Sequence, residues 1–299
     1  MSRSVLLLGS ISALAVSACL VEIRDLRSEP SGGGGAGGAG GASSSSTGST
    51  GGAAAACPDD MVHASHPDYP TVSFCIDRTE VTRGDYVAFL ASVGTVAGTE
   101  QPAECAFNSE LTRTDAGTNC PDWTTASDIA VNCVDWCDAY AYCAWAGKRL
   151  CGAAEDGSAV AFDALPIADE WHFACSGGRQ TAYPYGNDPE ICACYIPQEW
   201  QNQMMCDYQS VVSLNYKVEV ASHPGCEGGF PGLFDMQGNA AEWTNRCQPG
   251  TGTGDELCIV RGGATYGSAE YLSCNLLDQT ESRNGAALEV GIRCCRDAQ

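Results

Sequence analysis

The sequence predicts an α+β domain with little regular secondary structure, tied together by disulfides, and three observations lead there. Of the 19 cysteines in 299 residues, all but Cys19 lie from Cys57 onward, an even number. Helical periodicity is confined to three short stretches, and strand-like runs are equally few. The long segments between them are rich in Gly, Pro, Asn and Asp, which mark turns rather than ladders. In such a chain, cross-links replace part of the order that helices and strands do not supply.

Residues 1–18 combine a short basic start at Arg3 with the apolar run VLLLGSISALAV, too short to span a bilayer, and read as a lipoprotein signal peptide. The ending Val16-Ser17-Ala18-Cys19 fits a lipobox, with Cys19 the residue that accepts lipid. Leu20 after it, rather than an aspartate, favours the outer membrane over the inner. Residues 19–56 form the lipidated N-terminus and a tether. Its Gly/Ser/Ala stretch, Ser31 to Ala56, has no side chain large enough to bury. A flexible coil of that length spans roughly 25–30 Å. Residues 57–299, with no further low-complexity break, form one domain.

Within that domain Phe74 to Asp77 reads as a short strand. Thr82 with Asp85 three residues on makes a near capping box, and Tyr86, Phe89 and Leu90 then give one apolar helix face. Asp135 is the expected N-cap of a second helix, with Trp136, Tyr140, Cys143 and Ala144 along its stripe and Gly147 as its stop. Lys148 and Arg149 are placed to neutralise that helix's last carbonyls, the alternative being a cationic ligand clamp. A third, shorter helix fits ADEWHFACSGG, and strands are expected at CIVRGGATY and VGIRCCR. His63 and His66 read as surface positions in a loop.

Charge excludes some partners. Three basic and three acidic residues balance within the first 56, so the formal charge of −22 belongs to the domain. Nucleic-acid backbones and anionic lipid both need clustered Lys and Arg, so contact with a membrane is expected through the lipid anchor only. Eighteen cysteines in an exported domain suggest up to nine disulfides, of open connectivity. The rival, a metal cluster at Cys192/Cys194 or Cys294/Cys295, lacks the C-x-x-C spacing that closes two thiolates on one zinc.

Five segments, taken together, resemble the formylglycine-generating enzyme (sulfatase-modifying factor) family: FCIDRTEVTRGDYVAFL, VNCVDWCDAYAYCAWAGKRL, DEWHFACSGG with YPYGNDP, GGFPGLFDMQGNAAEWTN, and VRGGATY with VGIRCC. They follow the family's order from Asp60 to Cys295. The resemblance implies a C-type-lectin-like core, a small twisted antiparallel sheet with flanking helices and much irregular chain. Cys143, Cys151, Cys294 and Cys295 resemble the extra cysteines of secreted or lipoprotein members.

In the fourth segment Asp235 and Glu242 are carboxylates on a glycine-containing turn, with the carbonyls of Gly238 and Ala240 between them. Hard oxygens converging from one loop suit Ca²⁺, and the resemblance implies a structural calcium site there; the alternative is a turn with solvated carboxylates. Aerobic family members follow the glycine pair with two redox-active cysteines that bind Cu(I), a soft metal held by soft sulfur. The corresponding positions here are Gly267 and Leu272, and Ala264 stands where a serine is common. Copper is therefore not expected, and Cys274, the weak candidate for a catalytic thiol, is better read as a disulfide partner of Cys294, Cys295 or another neighbour. No HExxH, G-x-S-x-G or phosphate loop offers other chemistry. Two readings follow. One is a formylglycine-generating oxidase or related oxidoreductase acting on exported proteins. The other, which the missing thiols favour, is a lipid-anchored binding or structural protein of the cell envelope that holds a protein, peptide or glycan.

Overall fold

Strands β1 (Met61–His66) and β2 (Tyr69–Asp77) form an antiparallel hairpin in this computed structural model, which describes residues 57–98, 101–112, 120, 122–190, 193–194, 217–263, 272–276 and 279–299. His63 and His66 thus lie in a strand and not in a loop, and His63 meets the Ser73 hydroxyl across the hairpin at 3.0 Å. The polar alternation of an edge strand had hidden it. Helix α1 (Arg83–Val93) starts where expected: Thr82 accepts from the Asp85 N–H and Asp85 accepts from the Thr82 N–H, a complete capping box. Tyr86 and Phe89 are buried and Leu90 packs against the same cluster.

Helix α2 (Trp136–Trp145) repeats the device, with Asp135 as N-cap and Asp138 as its reciprocal partner. Its buried face runs through Trp136, Ala139, Tyr142 and Cys143, whereas Tyr140 is half-buried and Ala144 exposed, so the stripe is rotated from the expected one. Gly147 adopts φ 69° beyond the helix, the left-handed geometry that a side chain disfavours. Lys148 and Arg149 do not cap α2. Lys148 bonds Asp60 and Asp77, while Arg149 opens strand β3 (Arg149–Leu150) and grips Glu170 with both arms of its guanidinium. Burial works against the Lys148 ammonium, but Asp77 and Asp60 more than offset it and hold the group charged. Helix α3 (Glu170–Cys175) is capped by Asp169.

The remaining strands are β4 (Ala241–Cys247), β5 (Leu257–Arg261), β6 (Thr280–Ser282), β7 (Val290–Gly291) and β8 (Cys294–Asp297). They make two four-stranded sheets, in the orders β1-β2-β8-β3 and β6-β5-β4-β7, rather than the single antiparallel sheet expected; β4 and β7 pair in parallel. One apolar cluster centres on Tyr86, Phe89, Trp136 and Trp243, the other on Phe74, Trp171, Phe173 and Leu233.

Among the described residues eight disulfides join sixteen cysteines: Cys57–Cys75, Cys105–Cys137, Cys120–Cys133, Cys143–Cys294, Cys151–Cys295, Cys175–Cys274, Cys194–Cys226 and Cys247–Cys258. Such a framework belongs to a protein that folds in an oxidising, extracytoplasmic compartment. No helix among the described residues is long and apolar enough to cross a membrane. Cys19, the tether and Gly267 lie outside the described residues, as do Cys192 and Cys206.

Candidate functional site

Two buried polar centres flank Trp171, and they carry the residues singled out from the sequence. The first is the loop before β4. Asp235, Gly238 and Asn239 take φ of 56°, 75° and 48°, which coils the backbone tightly. The Asp235 carboxylate accepts from the Ala221 N–H at 2.6 Å. Glu242, the second residue of β4, accepts from the Trp171 indole at 2.6 Å with one oxygen, and meets the Arg293 guanidinium at 2.8 and 2.7 Å with the other. Glu80, from the turn before α1, completes the cluster by accepting from the Ala240 N–H and the Asn239 amide, both at 2.9 Å.

All four charged groups are essentially sealed from solvent: Glu80, Asp235, Glu242 and Arg293 are 1%, 3%, 0% and 0% exposed. Three carboxylates therefore face one guanidinium. Burial, and then the charges of Asp235 and Glu242, push Glu80 well above the usual carboxylate range. Burial raises Asp235 to about 6, with Glu242 adding to it and the Ala221 N–H and Arg293 opposing. Lys217, fully buried and without a hydrogen-bond partner among the described residues, acts on Glu80 from the far side; burial lowers it to about 8 against the pull of Glu289 and Glu80. A centre with surplus negative charge is balanced by protons or by a bound cation.

The donor set suits the expected cation. Asp235 supplies a carboxylate, and the left-handed turn holds the carbonyls of Gly238 and Ala240 on the same loop. Glu242 retains one lone pair on the oxygen that serves Trp171, while Arg293 occupies the other oxygen twice. Gln237, in the middle of the loop and 1% exposed, has neither amide atom hydrogen-bonded among the described residues. Elsewhere among the described residues Cys151, Glu170 and Cys295 bring metal-ligating atoms together, but the two sulfurs are joined to each other. Glu80 and Arg293 were missed in the sequence; both sit in the quoted segments, RTEVT and GIRCC, but nothing in one dimension aims them at residues 235–242.

The second centre is the glycine-pair segment. Gly262 has φ 93°, and a Cβ there would stand 3.1 Å from the Met236 carbonyl and 3.3 Å from the Trp171 ring, so the bare backbone lets the two centres abut. Arg261 donates to the carbonyls of Leu276 at 2.6 Å and Cys274 at 3.3 Å and also reaches Asp169. Arg246 approaches the same Asp169 oxygen at 3.3 Å, while the other oxygen caps α3 through the His172 N–H at 2.7 Å. The segment after residues 264–271 is thereby pinned. Leu272 is 5% exposed and Cys274 is fully buried in its bond to Cys175. Of the two positions that carry thiols in aerobic family members, Gly267 lies outside the described residues and Leu272 is part of the apolar interior. Cys274 is not bonded to Cys294 or Cys295, whose partners are Cys143 and Cys151. It offers no free thiol.

Residues 42–298 match the sulfatase-modifying factor enzyme 1-like domain. The chain is similar to the formylglycine-generating enzyme of Mycobacterium tuberculosis, 27% identical over 210 residues, covering 58% of this chain and 63% of the relative. It is similar also to the inactive C-alpha-formylglycine-generating enzyme 2 of Mus musculus, 29% identical over 168 residues, covering 54% of this chain and 47% of the relative. With the formylglycine-generating enzyme of Bos taurus the match, 31% identical over 109 residues, takes in 36% of this chain and 24% of that one. The match thus covers less than two thirds of each of these relatives. Among solved structures, PvdO from Pseudomonas aeruginosa superposes with a TM-score of 0.46 at 22% identity, over 75% of this chain and 80% of that one. The chain belongs to the sulfatase-modifying factor (formylglycine-generating enzyme-like) family, in which formylglycine-generating enzymes and inactive relatives both occur, and it has that family's disulfide-rich α+β fold.

Proposed function

We propose that this protein is an extracytoplasmic binding protein built on the family scaffold, without the copper-dependent oxidation of substrate cysteines. The observation that carries this reading is the Cys175–Cys274 bond with Leu272 buried beside it: the neighbourhood in which a thiolate pair would work is filled by a hydrophobe and a closed disulfide. Lipid on Cys19 would hold the chain to the outer membrane, and residues 19–56 would let the domain reach a protein, peptide or glycan outside the cytoplasm. Asp235, Glu242 and the Gly238 and Ala240 carbonyls would hold a structural calcium ion, which would neutralise the surplus carboxylate charge around Glu80.

Thiol titration of the oxidised domain, residues 57–299, with and without Cu(I), and incubation with a Cys-x-Pro-x-Arg peptide test the central claim. The expected result is no free thiol, no stoichiometric copper and no aldehyde on the peptide. Two free thiols, copper at one equivalent and aldehyde formation would restore the oxidase reading. A Cys19→Ala chain that still partitions with membranes would remove the anchor.

A further inference from the structure

A second concavity, apart from both centres around Trp171, lies between the end of β4 and helix α2. It is a cleft of about 260 Å³. Its floor is the Arg283 side chain, 3% exposed, whose guanidinium lies 4.4 Å over the Trp136 ring; Tyr140 stacks on Trp136 with centroids 5.4 Å apart. Arg283 is held by one long bond from its Nη2 to the Gln248 carbonyl, at 3.4 Å, and by Glu256, which its Nε faces at 3.7 Å. Gln248 spends its amide oxygen on the Leu257 N–H, which leaves its NH₂ for the cleft. Among the described residues the Asn245 side-chain amide and the Tyr140 hydroxyl make no hydrogen bond. Glu104 lies along the opposite wall, in space open only because residue 250 is glycine: a Cβ there would stand 2.3 Å from the Glu104 side chain.

We infer that this cleft is a subsite for one neutral pyranose ring, free or at the end of a longer glycan. Two carboxamides, a phenol hydroxyl and a carboxylate ask for a ligand that brings acceptors and donors together on a small rigid frame, and the hydroxyls of a sugar do so. The aromatic stack supplies an apolar wall of the kind a ring's C–H face packs against. An anionic ligand is disfavoured because Glu104 and Glu256 already outnumber Arg283 in a domain of charge −22. A cationic peptide side chain brings donors only and would leave the amide N–H groups of Asn245 and Gln248 without an acceptor. The inference rests on the binding-protein reading and narrows its ligand to a saccharide.

The test uses the full chain with a panel of neutral methyl pyranosides and, in a separate arm, the corresponding oligosaccharides, followed by saturation-transfer NMR and calorimetry. At least one pyranoside is expected to bind, and Asn245→Ala and Tyr140→Ala, each near-surface changes, should each weaken it roughly tenfold or more while the circular dichroism spectrum is unchanged. Oligosaccharides that bind more tightly than the matching monosaccharide would identify a glycan end as the source, and equal affinity a free sugar. No binding by any member of either arm, or binding that both variants leave intact, overturns the assignment. Capture of a peptide that the same variants abolish would overturn the saccharide class yet leave the binding-protein reading standing, whereas aldehyde formation in the oxidase assay would remove that reading whatever the sugars do.

Discussion

Asp169 stands between two guanidiniums and Asp235 stands among carboxylates, although both are buried and both lie beside Trp171's shell of contacts. Around Asp169 two guanidiniums face one carboxylate and most hydrogen bonds close within the protein: Arg246 and Arg261 share one carboxylate oxygen, loop carbonyls from Phe162 to Pro166 and those of Cys274 and Leu276 take most of their other N–H groups, and the buried Arg261 Nε–H has no hydrogen-bond partner among the described residues. Around Asp235 the surplus has the opposite sign: Glu80, Asp235 and Glu242 meet one guanidinium, Arg293, with Lys217 acting on Glu80. The first centre acts as a clamp on the glycine-pair segment, its arginines tied to backbone carbonyls on both sides. The second is organised for something more, a proton or a metal ion.

The largest effect that would break this contrast is at the clamp. Asp169→Ala leaves two guanidiniums, 0% and 1% exposed, without their counter-charge and removes the α3 cap. A loss of about 3–5 kcal/mol in urea unfolding is expected, since stranding a buried charge costs more than the pair contributes. A loss below about 1 kcal/mol would mean that the carbonyls alone satisfy the two arginines.

At the acidic loop the expected effect is smaller and depends on conditions. Calcium at about a hundred times its Kd should stabilise the domain by about 2.7 kcal/mol, and EGTA should remove the gain. Asp235→Asn, which keeps an acceptor for the Ala221 N–H, should abolish the calcium response without harming the metal-free protein. A thermal midpoint indifferent to calcium in the wild-type chain would count against the site.

The smallest effect concerns a third buried acidic pair, the α2 cap. Burial raises Asp135 to about 6, and burial together with the charge of Asp135 raises Asp138 well above its ordinary range. A carboxyl whose folded pKa lies above its unfolded one stabilises fully below the unfolded pKa, and that contribution is lost as pH rises through the folded value. Between about pH 5 and about pH 7.5, at constant EGTA, the domain should lose on the order of 1 kcal/mol from Asp135. Asp135→Ser, which keeps a capping oxygen, should flatten the slope. An unchanged slope would place the titration elsewhere.

Much of this architecture was legible in one dimension where the signal was local. Thr82 and Asp85, Asp135 and Asp138, and Gly147 each declare a helix end within four residues, and all three ends are where the sequence puts them. Strand β1 was read as loop because His63, Ser65 and His66 are polar, which an edge strand tolerates and a pattern search does not expect. Strand β4 has no counterpart among the elements expected from the sequence, because AEWTNRC is buried on both faces and shows no alternation. At the candidate sites Asp235 and Glu242 were visible because they share a loop. Glu80 and Arg293 arrive from 155 and 51 residues away, and pairing at that distance is decided by topology. Lys148 and Arg149 show the same limit: next to a helix end they look like caps, but carboxylates brought in from the turn before β1, from β2 and from α3 win them.

Cys294 and Cys295 are neighbours whose bonds run to opposite sides of β8, to Cys143 in the Trp243 cluster and to Cys151 in the Phe74 cluster. Side chains alternate along a strand, so a slip of one residue in the pairing of β8 would exchange the two cysteines between the clusters. The doublet therefore works as a key cut for a single lock: correct oxidation is possible only when the strand is seated in register, and once formed the two bonds forbid it to slide. A peptide map that found Cys143 joined to Cys295 would report a misthreaded sheet directly, which gives an oxidative folding pathway a covalent record of whether its last strand was placed correctly.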